Sequence, residues 1–159
     1  MRPLLSVAAN WTANPAETPA SVVGTWQLID YSQQFLDTKQ ITRPFGDHPT
    51  GYIQYSPGGH MVVFLTTGNT PKPAAAMFSD AERIAFYNRI IGGYAGTYRI
   101  EGNKVIHHIL ASWQPEWIGS DQTRFFEVNG KHLTIKTAPL KYTRTGQDII
   151  GMLTFGRVE

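Results

Sequence analysis

The stretch YAGTYRIEGNKVIHHILASW, residues 94–113, decides the fold because it holds two strand-like segments separated by a tight turn. Aromatic and β-branched residues, which favour strands, lie on both sides of the EGN turn. Successive residues of a strand point to opposite faces, so the turn also sets which side chains share a face. The stretch therefore predicts an antiparallel hairpin with strands near 94–101 and 104–113.

The same alternation of strand-like segments and Gly, Pro or Asn turns continues along the chain. The predicted strands lie near residues 22–31, 51–56, 60–66, 94–101, 104–113, 121–128, 131–137 and 149–158. Most are joined by hairpin signals, and no strand–helix–strand rhythm appears. Eight sequential antiparallel strands predict an all-β protein with a small closed barrel, whose interior is either filled by side chains or holds one small ligand.

One segment, FSDAERIAFYNRIIGGY (78–94), predicts a helix near 79–91. Ser79 and Glu82 have the spacing of a capping box, and the Gly-Gly pair at 92–93 predicts the helix end. The helix is expected to cover the barrel mouth or pack on its outer wall, using a stripe that carries Ile84, Tyr87 and Ile91.

Composition limits the class of protein. The 159 residues are 42% hydrophobic and 16% charged, which is typical of one globular domain. The net charge of +2 is spread along the chain, so neither a nucleic-acid partner nor a membrane surface is expected. There is no cysteine, which excludes disulfides and thiolate metal sites.

The chain is divided into a loose leader, residues 1–21, and a barrel domain, residues 22–159. The leader is rich in Pro, Ala and Thr after a short apolar run that resembles a signal peptide only weakly. A cytoplasmic location is therefore expected, with secretion as the alternative. Oligomeric state is left open, with a homodimer as one alternative.

Hairpin geometry separates the two adjacent histidines. With the turn at the EGN sequence, His107 shares a face with Tyr94, Tyr98 and Trp113, which is the more apolar face and thus the barrel interior. His108 then faces outward. Two residues on opposite faces cannot bind one ion, so no metal site is predicted.

A second hairpin places a cation inside. Asn129-Gly130 is typical of a type I′ turn, and with these two residues at its centre Arg124 lies opposite Ile135. The face with Arg124, Gln122 and Phe126 is less polar than the other and is predicted to face inward.

Several segments together resemble a known family. They are GTWQLIDY, RPFGDHPTGYIQYSPGGHM, the hairpin described above with its continuation QPEWIG, and QTRFFEVNGKHLTIKT. Gly24-Thr25-Trp26 with Arg157 resembles the Gly-x-Trp and C-terminal Arg pair of the lipocalins, in which the cation packs across the indole as a structural latch. The chain is similar to the lipocalin-like domain proteins of bacteria and fungi over roughly residues 22–159. The resemblance implies a calycin-type barrel with an interior pocket. It also implies varied functions, since related barrels include carriers, isomerases and cyclases, some of them in secondary metabolism.

Two main functions follow as hypotheses. The first is binding of a small, partly apolar, acidic or phenolic molecule. The second is a cofactor-independent isomerase, cyclase or hydratase in which His107 is the acid–base group and Tyr98 a proton donor. The expected ligand-binding residues are Arg124, Gln122, Tyr94, Trp113, Phe126, and Tyr52 or Tyr55.

Alternatives in which these residues have only a structural role stay open. Arg124 could pair with Asp30 and His107 with Tyr98, since buried polar groups need partners whether or not a ligand exists. A haem held by His107 is the least supported alternative, and no cofactor is expected.

Overall fold

The computed structural model describes residues 22–142 and 145–159, so the predicted leader lies outside the described residues. The long strands are β1 (Gly24–Phe35), β3 (Thr50–Tyr55), β4 (His60–Thr66), β5 (Ile90–Glu101), β6 (Lys104–Ser112), β7 (Asp121–Asn129), β8 (His132–Thr137) and β10 (Asp148–Arg157). The short elements are the strands β2 (Ile41–Thr42) and β9 (Leu140–Lys141), the helix α1 (Asp80–Tyr87) and a 3-10 turn at Pro115–Trp117.

The long strands form one antiparallel sheet that closes on itself. Each pairs with the next long strand along the chain, and β10 also pairs with β1, from Trp26 opposite Arg157 to Phe35 opposite Ile149. The eight predicted strands and the closed antiparallel barrel are confirmed. The short β2 pairs with β1 and the short β9 with β10. Neither was predicted, because two residues are too few to show the alternation that predicts a strand.

Alternate side chains of the strands fill one end of the barrel. Trp26, Val105, Leu133 and Phe155 are fully buried there. The exposed partners in the alternation, such as Tyr52, lie on the outer wall. This period of two is what a half-buried strand requires.

The predicted latch is present at this filled end. The guanidinium carbon of Arg157 lies 4.0 Å from the centre of the Trp26 ring. The indole N–H of Trp26 donates to the carbonyl of Val22 at 2.9 Å, and Arg157 donates to the carbonyl of Val23 at 2.9 Å. The cation and the ring thus tie the segment before β1 to the end of β10.

The helix is shorter than predicted. Its start is confirmed, because Ser79 and Glu82 form a reciprocal capping box. Its end is wrong: α1 stops at Tyr87, and Gly92 and Gly93 belong to β5, where Gly93 lies opposite Phe64. Gly92 and Gly93 are therefore strand residues and not a helix stop.

The helical stripe is also wrong. Ile84 and Tyr87 are exposed, no residue of α1 is buried, and Ile91 faces the barrel cavity from β5. None of the helices in the described part of the chain is long and apolar enough to cross a bilayer.

Both predicted hairpins give the correct faces. Glu101 pairs with Lys104, which places His107 opposite Tyr98. In the other hairpin Asn129 pairs with His132, so the turn is centred one residue later than predicted and Arg124 lies opposite Thr137 instead of Ile135. A shift of two in pairing keeps the parity, and Arg124 therefore still points inward.

A bulge in β1 overturns one alternative. The pairing with β10 shifts between Leu28 and Asp30, so Asp30 no longer shares the face of Trp26. Asp30 instead forms an ion pair with Arg43 at 3.1 Å on the outside. The residue after it, Tyr31, turns inward.

Candidate functional site

The barrel contains a cavity that is partly open to solvent. Most of its lining is aliphatic or aromatic, with a few polar groups. The residues that matter for its chemistry are Tyr31, Tyr94, His107, Trp113, Trp117, Arg124 and Thr137. A mostly apolar cavity with a small number of polar groups is typical of a site for a small organic molecule.

His107 lies deep in the cavity wall. β6 carries it inward, and its side chain is 1% exposed. Its Nε2 lies 2.8 Å from the Tyr55 hydroxyl and its Nδ1 lies 2.9 Å from the Tyr94 hydroxyl. Burial, together with the positive charge of Arg124, holds the pKa of His107 well below 6.5. The imidazole is therefore neutral at physiological pH, with both nitrogens in hydrogen bonds.

The alternative pairing of His107 with Tyr98 is wrong. The Tyr98 hydroxyl donates to the carbonyl of Ser56 at 2.8 Å, away from the imidazole. The Tyr98 ring packs edge-on against Tyr55, with the ring centres 4.9 Å apart. Tyr98 lies beneath the cavity, where it positions Tyr55, and is not part of the lining.

Arg124 is the buried cation that the sequence predicts. Its side chain is 5% exposed and reaches the cavity from β7. Its guanidinium donates to the carbonyl of Thr123 at 3.1 Å and lies 5.7 Å from the centre of the Trp117 ring. Among the described residues, no carboxylate forms an ion pair with it. The positive charge thus faces the cavity with no counter-ion from residues 22–142 or 145–159.

Three aromatic rings form one wall of the cavity. Tyr94 is stacked near Trp113, with ring centres 6.2 Å apart and an angle of 17°. Trp117 meets both rings edge-on, at 5.8 Å from Tyr94 and 5.2 Å from Trp113. The Tyr87 hydroxyl donates to the Trp113 carbonyl at 2.8 Å, which ties the end of α1 to this wall.

Three of the lining residues with a polar or aromatic side chain are absent from the sequence-based prediction of the site. Trp117 comes from the 3-10 turn. Tyr31 enters through the β1 bulge, which no local signal marks. Thr137 comes from the end of β8, where its hydroxyl accepts from the Gly151 N–H at 2.9 Å. Burial raises the pKa of Tyr31, so its hydroxyl stays protonated.

A buried acceptor lies behind Tyr31. The Gln33 side chain donates to the Tyr31 hydroxyl at 3.0 Å, while its own carbonyl oxygen has no partner among the described residues. Gln33 is 7% exposed. The polar part of the cavity therefore extends along β1 as well as along β6 and β7.

Several predicted ligand-binding residues do not line the cavity. Tyr52 is about half exposed on the outer wall, so that assignment is wrong. Gln122 is turned away and donates to the Ser120 hydroxyl at 2.9 Å. Phe126 packs against the core near the filled end. Tyr55 is 1% exposed and acts behind the wall, through His107.

His108 faces outward, as predicted, in an exposed cluster. Its Nδ1 lies 2.8 Å from Asp121, which also accepts from Arg99 at 3.0 Å. Arg99 in turn meets Glu101 at 2.9 Å. The hydrogen bond from His108 and the charge of Arg99 lower the pKa of Asp121. In the part of the chain that the structure describes, no group of three or more His, Cys, Asp or Glu residues could hold a metal ion.

Comparison with known proteins shows what this chain is similar to. The model of the lipocalin-like domain family matches residues 23–158. Crystal structures of wild-type fluorescent protein UnaG and of an asparagine-to-glutamine variant of it are similar at 19% and 17% identity. They match over 86% of this chain and 96% and 95% of theirs, with TM-scores of 0.38 and 0.36. The comparison with curated proteins gives no match.

Proposed function

The chain belongs to the lipocalin-like domain family, and we propose that its barrel binds a small, partly apolar molecule that carries an anionic oxygen. The observation that carries this proposal is the buried guanidinium of Arg124, which meets one backbone carbonyl and no described carboxylate. A permanent charge in apolar surroundings is costly unless an opposite charge meets it. A carboxylate or phenolate in the cavity would supply that charge.

The rest of the cavity fits the same class of ligand. Its lining is mostly apolar with a few polar groups, as is usual in sites of small organic molecules. The wall formed by Tyr94, Trp113 and Trp117 offers aromatic surface beside the cation. An aromatic acid would bury its ring against this wall and direct its anionic group to Arg124.

The geometry supports binding better than acid–base turnover. Both nitrogens of His107 already lie within hydrogen-bond distance of tyrosine hydroxyls, so the imidazole has no free lone pair for a substrate proton. The Tyr98 hydroxyl, the second candidate for catalysis, is held by the Ser56 carbonyl. A general base needs direct reach to the proton that it removes.

The test compares an acid with its neutral analogue. Indane carboxylate and indane carboxamide have nearly the same shape and differ in charge. We expect isothermal titration calorimetry to show that the wild-type protein binds the acid about 10–100-fold more tightly, as a charge-assisted hydrogen bond implies. Arg124→Gln should remove this preference, and the control Arg43→Gln, which removes a surface charge, should keep it.

The melting temperature of Arg124→Gln shows whether a loss of binding is due to a loss of folding. Without ligand, Arg124→Gln should melt no lower than wild type, because it removes a buried charge that no described carboxylate neutralises. A folded Arg124→Gln that still prefers the acid, or a wild-type protein that binds both compounds equally, would contradict the proposal.

A further inference from the structure

The two hydrogen bonds of His107 cannot have the same direction. A neutral imidazole carries one N–H donor and one acceptor nitrogen. Its Nε2 lies 2.8 Å from the Tyr55 hydroxyl and its Nδ1 lies 2.9 Å from the Tyr94 hydroxyl. One tyrosine must therefore donate to the ring, and the other must accept from it.

Burial decides which tyrosine donates. Tyr55 is 1% exposed, and His107 is the one hydrogen-bond partner of its hydroxyl among the described residues. If Nε2 carried the proton, the Tyr55 hydroxyl would accept, and its own proton would be buried without an acceptor. An unpaired buried donor is among the costliest defects in a protein interior. Tyr55 therefore donates to Nε2, and the imidazole proton lies on Nδ1.

This tautomer of His107 determines the direction of the hydrogen bond with Tyr94. With the proton on Nδ1, the Tyr94 hydroxyl accepts from His107, and its own proton has no acceptor in the part of the chain that the structure describes. Tyr94 lines the cavity and is only partly buried. We infer that Tyr55 and His107 fix Tyr94 as a hydrogen-bond donor into the cavity, so that the ligand carries a neutral acceptor, such as a ring carbonyl, besides its anionic group.

This inference rests on the proposed function and narrows the ligand class. Arg124 and Tyr94 both lie beside Trp117, at 5.7 Å and 5.8 Å from the centre of its ring. One small aromatic molecule can therefore reach both groups while it packs on the same wall. The expected class is an aromatic acid with a carbonyl or ether oxygen on the ring system.

The first experiment needs no ligand. Protein labelled with a nitrogen isotope at histidine gives a two-bond proton–nitrogen correlation spectrum that separates the two neutral tautomers. The signals of His107 are those missing from His107→Gln. We expect the proton on Nδ1; a proton on Nε2 would overturn the inference, whatever the protein binds.

The second experiment measures how much a neutral acceptor on the ligand contributes to affinity. Indanone carboxylate, as its set of positional isomers, differs from indane carboxylate by a carbonyl in place of a methylene. In calorimetric titrations the wild-type protein should bind the best ketone about ten-fold more tightly than the matching hydrocarbon acid. Tyr94→Phe should abolish that difference between the ketone and the hydrocarbon acid, while the outward-facing control Tyr52→Phe should keep it.

The outcomes separate the two proposals. If the wild-type protein binds the ketone and the hydrocarbon acid equally, the inference that the ligand carries a neutral acceptor is overturned. The proposed role of Arg124 is unaffected by that result. A ketone preference that survives in Tyr94→Phe overturns the role of Tyr94. If the wild-type protein binds neither acid, the proposed function is overturned, and so is the inference that the ligand carries a neutral acceptor. The spectrum still shows which nitrogen of His107 carries the proton.

Discussion

Two groups of polar residues lie on opposite faces of the strands β5, β6 and β7, and the inner one also includes a residue of β3. The inner row consists of Tyr55, His107, Tyr94 and Arg124, and the outer cluster of Arg99, Glu101, His108 and Asp121. Both contain a histidine and an arginine, and the two histidines are neighbours in the chain. The inner row has no carboxylate and is largely buried, whereas Arg99 and His108 in the outer cluster each meet a carboxylate in water. The side of the sheet, more than the residue type, therefore decides the chemistry of each group.

The largest expected difference is in stability. His107→Ala should lower the free energy of unfolding by about 2–4 kcal/mol, because it leaves a void and a buried tyrosine hydroxyl without a partner. His108→Ala should change it by no more than about 0.5 kcal/mol, as exposed substitutions do. Urea denaturation of both variants measures the comparison. A similar loss in both would contradict the separation of the two regions.

The second difference is in pH dependence. Because the pKa of His107 is held well below 6.5, the unfolded chain binds a proton near pH 6.5 that the folded protein does not bind. The free energy of unfolding should therefore be level with respect to this group above about pH 6.5 and fall by up to about 1.4 kcal/mol per pH unit below it, until the folded pKa is reached.

A variant without the imidazole of His107 shows how much of this pH dependence comes from His107. Urea titrations between about pH 5 and pH 8 should show a shallower loss in His107→Gln than in wild type. Identical slopes in wild type and His107→Gln would show that His107 is not protected from protons in the folded protein.

The smallest effect is expected in the outer cluster. Asp121→Asn removes the carboxylate that His108 and Arg99 share. Because these side chains are substantially exposed, the loss should be about 0.2–1 kcal/mol, and it should shrink as salt is added. Thermal melts at low and high salt measure it. A loss above about 2 kcal/mol, or one insensitive to salt, would mean that the cluster acts like a buried network.

The contrast also shows what the sequence can predict. Alternation and turn residues place the strands, and parity places His107 inside and His108 outside even where the exact turn pairing is off. The β1 bulge carries no local signal, so Asp30 was assigned to the wrong face and Tyr31 was missed. The partners of His107 come from β3 and from the far end of β5, and their distances depend on barrel curvature that no single segment encodes.

The pairing of β1 with β10 has a kinetic consequence. Trp26 lies opposite Arg157, so two segments from opposite ends of the domain must meet before the barrel can close. Contacts between residues so far apart in sequence slow folding, since a long loop must be ordered first. During synthesis β1 has β3 on one side and no partner on the other until β10 emerges. Until then the seam stays open to water and to other chains, and its rate of closing sets how long a nascent molecule depends on protection from aggregation.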